Sequence, residues 1–124
     1  MNIFSTLSNK IENIADKNIS IYVCGVTPYT ECHLGHAMSA MIYDTLIRFL
    51  KWKGNKVTYV SNYTDIDDKI LKRAREESSS MKEVSEKNII EFHKDMDSLG
   101  IMRPDSMPRA TNHICNICSF ITIL

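Results

Sequence analysis

The sequence predicts an α/β fold, with parallel strands joined through an amphipathic helix and followed by a helical continuation. Three observations predict it. The β-branched and aromatic run Ile19-Ser20-Ile21-Tyr22-Val23 is closed by Gly25 and Pro28. From Leu34 to Leu50, apolar residues recur at the spacing of one helix face. Lys56 to Ser61 (KVTYVS) then returns to strand composition. Strand, helix, strand in that order is a βαβ unit with a right-handed crossover, which makes the two strands parallel.

Residues 1–18 mix apolar and polar positions without a clean period and read as a lead-in with one edge strand near Ile3. Ile19–Val23 is the first strand. The helix stripe is Leu34, Ala37, Met38, Met41, Ile42, Thr45, Leu46, Phe49 and Leu50, ending near Gly54. Lys51 and Lys53 suit the negative end of its dipole. After the second strand, Asn62–Ile70 (NYTDIDDKI) is a polar turn at the C-terminal end of a parallel strand, where open α/β sheets bind ligands. A helix follows over about residues 67–77, broken by Ser78-Ser79-Ser80. Ser80 and Glu83 have capping-box spacing for another helix to Gly100, supported by Val84, Ile89, Ile90, Phe92, Met96 and Leu99. Beyond Met107-Pro108, Ile114, Ile117, Cys118 and Ile121 fit one face of a last helix.

Length and composition bound the function. A chain of 124 residues suits one small domain. Fifteen basic and fifteen acidic residues leave no net charge to draw it to nucleic acid or a membrane surface. No apolar stretch reaches the roughly 18 residues of a membrane span. The N-terminus lacks the basic and apolar regions of a secretion signal. Cysteines at 24, 32, 115 and 118 do not form a disulfide framework, so a reduced, cytoplasmic setting is expected.

Chemistry concentrates in Cys24–His36 (CGVTPYTECHLGH). A strand, a tight loop and a helix start form a cradle in which free N–H groups and the helix dipole favour phosphate. His33 and His36 lie three residues apart on the first turn and can face one bound group. As four letters, His-x-Gly-His describes ordinary surface histidines. Between a strand and a strong helix, it describes hydrogen-bond donors for phosphate oxygens as charge develops. Gly35 leaves room for a flat ring against the backbone. Cys24 at the strand exit is either a small buried hydrophobe or a zinc thiolate, and the second needs about three more ligands. Asp65, Asp67 and Asp68 are a conceivable divalent-ion cluster, but Asp67 and Asp68 suit the first turn of the following helix better. Cys115-x-x-Cys118 has the spacing of half a zinc knuckle or a redox pair but reads better as packing against a core or against something beyond Leu124, and Lys69–Glu77 reads as a solvated helix face.

Together, Tyr22–His36, Tyr59–Ile70 and Leu99–Thr111 resemble the N-terminal part of the cysteinyl-tRNA synthetases, which are class I aminoacyl-tRNA synthetases. His33-Leu34-Gly35-His36 corresponds to that class's HIGH signature. The resemblance runs along nearly the whole chain and thins after His113. It implies a Rossmann-like nucleotide-binding half over residues 1–66 and a helical connective region over 67–124. It also implies ATP-dependent activation of cysteine, normally with Mg2+, and transfer to tRNA(Cys). Thr27, His33, Gly35 and His36 would bind the nucleotide, with His33 and His36 stabilising the transition state. Cys24 matches the first ligand of a Zn2+ that holds the substrate thiolate, a discrimination shape alone does not supply. The lysine-rich second signature, the other zinc ligands and the anticodon-reading domain have no counterpart. The expectation is therefore a truncated fragment that needs a C-terminal part, such as a separately encoded one, for full activity. A cysteine ligase acting on an amino sugar and a non-catalytic nucleotide-binding module are the alternatives.

Overall fold

Both expected strands are present and run past the apolar runs that announce them. The computed structural model describes residues 1–124. Its elements are β1 (Asn2–Ser5), β2 (Lys10–Asn13), β3 (Asn18–Val26), α1 (Leu34–Trp52), β4 (Lys56–Tyr63), α2 (Asp68–Glu76), α3 (Met81–Ser98) and α4 (Ile114–Ile123). A 3-10 turn over Ala110–His113 leads into α4. The lead-in holds an antiparallel hairpin, β1 on β2, rather than one edge strand. Its turn contains Asn9 at φ 54, a left-handed conformation that Asn tolerates well.

β3 and β4 pair in parallel, from Asn18↔Lys56 to Val23↔Ser61. A third extended segment lies along the far edge of β4. Asp105 N–H donates to the Tyr59 carbonyl at 2.8 Å, Ser61 N–H to Ser106 at 3.1 Å, and Tyr63 N–H to Pro108 at 2.9 Å. Pro108 thus serves only as an acceptor, which is how proline fits a sheet edge.

The inner sheet face packs Val57 and Tyr59 with Ile47 and Leu50 of α1. A second cluster joins Ile70 and Ala74 of α2 to Val84 of α3, with Tyr29 and Met81 against it. On the opposite face Ser20, Tyr22 and Thr58 are exposed. The buried side of α1 departs from the expected stripe. Ile47 and Leu50 are buried, with Ala40, Tyr43 and Asp44 half-buried beside them, while Leu34, Met38, Met41, Ile42, Thr45 and Phe49 face solvent. The helix is apolar on more than one side, and the inward side is the one that meets β4.

Caps follow the sequence closely. Asp67 caps α2, its carboxylate accepting the Lys69 N–H at 2.8 Å, and Asp68 sits in the first turn. Ser80 and Glu83 close a reciprocal capping box on α3. Asp65 does something else. It is buried and accepts both the N–H and the hydroxyl of Thr111, fastening the 3-10 turn to the end of β4. Arg109 pairs with Glu86 in a two-pronged contact that ties the same segment to α3.

Candidate functional site

The site is built where β3 ends and α1 begins. Gly25 is required by close approach: a Cβ there would stand 1.3 Å from the Asn62 carbonyl oxygen on β4. The chain then passes Thr27 and buried Pro28 and reaches His33. Tyr29 N–H donates to the Thr27 carbonyl at 3.0 Å and tightens this loop.

His33 is the N-cap of α1, and its Nδ1 accepts the Gly35 N–H at 3.1 Å. His33 N–H in turn donates to His36 Nδ1 at 3.4 Å, a capping box made of two imidazoles. The rings stack with centroids 3.9 Å apart and planes 16° from parallel. Both Nδ1 lone pairs are occupied as acceptors, so in each neutral ring the proton sits on Nε2. Each histidine thereby keeps one N–H donor outside the cap. Burial, and then the neighbouring His33, hold the His36 imidazolium below its usual range. No acidic residue occupies the first turn of this 19-residue helix, so the positive end of its dipole is not neutralised there. Two N–H donors at such a terminus favour an anion.

A cavity of about 150 Å³ lies between the inner sheet face, α1 and α3. Val23–Val26 line it from β3, His36, Ala40 and Tyr43 from α1, and Phe92, His93 and Met96 from α3. Met102, Arg103 and Met107 complete one wall. His93 Nε2 and the Tyr63 hydroxyl are 3.0 Å apart. Burial lowers the His93 pKa, helped by Arg103, and burial raises that of Tyr63, so both are neutral at neutral pH.

The residues expected from sequence are partly gathered. His33, Gly35 and His36 form one unit, and Cys24 lines the same cavity as His36. Thr27 is half-buried in the loop outside that lining. The space at Gly35 is occupied by the protein itself: an added Cβ would lie 2.9 Å from the His33 ring. No sequence signal marks Tyr63 and His93, because a single tyrosine and a single histidine carry no motif.

The donor set does not fit zinc by itself. Cys24 is an exposed free thiol, and no group of three or more His, Cys, Asp or Glu side chains is placed to hold a metal. Burial, and then the neighbouring Asp95, push the Cys32 thiol pKa up to about 11. No step is therefore routed through a metal.

The strand–loop–helix cradle and the parallel β3–β4 pair define a Rossmann-like α/β fold. Residues 10–124 match the family described as tRNA synthetases class I (C) catalytic domain, and the chain belongs to that family. It is 73% identical over 124 residues to the cysteine–tRNA ligase of Prochlorococcus marinus (strain AS9601), covering 98% of this chain and 25% of the relative. Against the cysteine–tRNA ligase of Thermodesulfovibrio yellowstonii, identity is 49% over 127 residues, covering 100% and 26%. The family match extends through α4 to the last residue. The chain spans about a quarter of the length of these curated relatives. Methionyl-tRNA synthetase of Mycobacterium tuberculosis, solved with methionyl-adenylate, shares the fold at a TM-score of 0.66. That likeness carries 19% identity and covers 76% of this chain and 18% of that one. No helix is long and apolar enough to cross a membrane.

Proposed function

We propose that this chain supplies the first nucleotide-binding half of a cysteine–tRNA ligase, with residues 67–124 leading into its connective region. The observation that carries the reading is the stacked His33–His36 pair, whose capping bonds leave two Nε2–H donors at the positive end of α1. In the proposed reaction a carboxylate oxygen of cysteine attacks the α-phosphorus of ATP, pyrophosphate leaves, and the adenylate is passed to tRNA(Cys). Charge grows on the phosphate oxygens in the transition state, and preformed donors there lower the barrier. Mg2+ would accompany the ATP, and the reaction belongs in the cytoplasm.

Size separates the two substrates. A cavity of about 150 Å³ suits an amino-acid side chain, whereas drug-sized or nucleotide ligands need roughly 300 Å³ or more. ATP would therefore lie along the open edge at His33, Gly35 and His36, near Thr27. Cys24 lines this cavity and, in the ligase reading, would be one ligand of a zinc that holds the substrate thiolate.

The test is MgATP titration of the chain, followed by amide chemical shifts. Binding should move the Gly35 and His36 signals, and His33→Ala or His36→Ala should weaken it at least tenfold. In a polypeptide of the relatives' length, the same changes should slow cysteine-dependent ATP–pyrophosphate exchange about a hundredfold. ATP binding indifferent to both histidines would refute the reading.

A further inference from the structure

We infer that Asn62 is the positioning residue of the Cys24–Val26 exit, its side-chain oxygen standing in for a backbone partner and fixing where the Cys24 thiol is held. The β3–β4 register runs unbroken to Val23↔Ser61 and resumes at Val26↔Tyr63. Cys24 and Gly25 thus stand opposite the single residue Asn62, which is a bulge. Bulges re-aim side chains and leave a backbone group without its ladder partner. Here the Gly25 N–H donates to Asn62 Oδ1 at 2.8 Å. Tyr22 Oη donates to the same oxygen at 3.0 Å. Asn62 Nδ2 reaches Thr64 Oγ1 at 3.4 Å, and Thr64 N–H closes the bulge on the Val26 carbonyl at 3.0 Å.

The amide orientation follows from chemistry. A backbone N–H only donates, so the group facing Gly25 must be the oxygen and not the NH2. One side chain therefore braces the residue before the nucleotide loop, the tyrosine two residues before Cys24, and the strand end that follows. That Cys24 placement matters for substrate rests on the ligase reading; that Asn62 sets it does not.

The test uses the chain with Cys115→Ser and Cys118→Ser and a trifluoromethyl label on Cys24, the Cys32 thiol being half-buried and kept protonated by its raised pKa. Asn62→Leu keeps the approximate size and removes the acceptor. Gly25 amide hydrogen exchange should accelerate at least tenfold relative to that of Tyr59, which donates to Asp105 instead. The fluorine signal at Cys24 should shift or split. Asn62→Asp retains the oxygen and should restore both. Should Asn62→Leu fail to fold, Asn62→Asp alone remains decisive: a charge-assisted bond should move the Gly25 amide proton downfield. Unchanged Gly25 exchange, acceleration shared equally by Tyr59, or no rescue or downfield shift in Asn62→Asp would overturn the inference. Neither readout involves ATP, so failure of nucleotide binding to depend on His33 and His36 would sink the ligase reading separately.

Discussion

Gly25→Ala should be the most damaging single-methyl change in the chain. The added Cβ would lie 1.3 Å from the Asn62 oxygen, 2.4 Å from its carbonyl carbon and 3.0 Å from its nitrogen. All three are backbone atoms of β4, so no side-chain rotation relieves the clash. Ordinary contact begins near 3.4 Å, which requires the strand end to retreat by about 2 Å. Such a shift breaks the Gly25 bond to Asn62 and the Thr64 bond to Val26. Two hydrogen bonds at about 1 kcal/mol each, plus about 1–3 kcal/mol of overpacking, give a loss of about 3–5 kcal/mol. Against a typical total of about 5–15 kcal/mol, that removes a large share of the stability. Urea unfolding followed by circular dichroism measures it. A loss under about 0.5 kcal/mol would show that β3 and β4 do not approach as closely as described, and the bulge argument would fall with it.

Gly35→Ala should behave in the opposite way. Its Cβ meets only the His33 ring, which can swing aside. The helix gains up to about 1 kcal/mol in propensity while the displaced cap costs about 0.5–2 kcal/mol, so the net change in urea midpoint should be small. MgATP affinity should nevertheless fall several-fold; an unaffected affinity would mean that the His33 cap geometry is irrelevant to binding. The pH response has a definite sign. His36 and His93 both have lowered pKa values in the fold, chiefly through burial. The unfolded chain therefore binds more protons between those lowered values and 6.5, and stability rises with pH across that window and levels off above it. Urea midpoints at pH 5.5 and 7.5 should show the rise, and the double variant His36→Gln, His93→Gln should flatten it. A midpoint that falls over the same interval would contradict the assignment.

Much of this fold was legible because local signals agree with one another. The β-branched runs at Ile19 and Lys56, the Ser80–Glu83 box and the Asp67 cap each specify backbone geometry within a few residues. Side-chain periodicity failed where it was ambiguous or absent. In α1 the apolar residues Met41, Ile42 and Phe49 face solvent, while Asp44 lies half-buried and accepts the Met102 N–H at 3.0 Å. No count of hydrophobic spacing reveals that a carboxylate occupies the inward side. Residues 105–109 add to the sheet through backbone bonds, with Pro104 before them and Pro108 among them, a pairing that leaves no alternation to read. In the site, His33 and His36 were visible from their spacing, but their mutual capping was not. A histidine seldom caps a helix, and only the fold shows which ring nitrogen is occupied.

That capping links stability to chemistry. The bonds that satisfy the Gly35 and His33 N–H groups consume the Nδ1 lone pairs and so place the remaining protons on Nε2. A proton added to either Nδ1 would remove the acceptor and break the cap, and charging both stacked rings at 3.9 Å would add repulsion. With both imidazoles neutral, each holds one N–H free at the helix terminus. Neutral donors suit a transition state in which phosphate charge develops, because they gain strength as that charge grows without first binding the ground state as tightly as two cations would. The same geometry gives Gly35 its part in the site: its missing side chain is the space in which His33 turns back to cap its own helix.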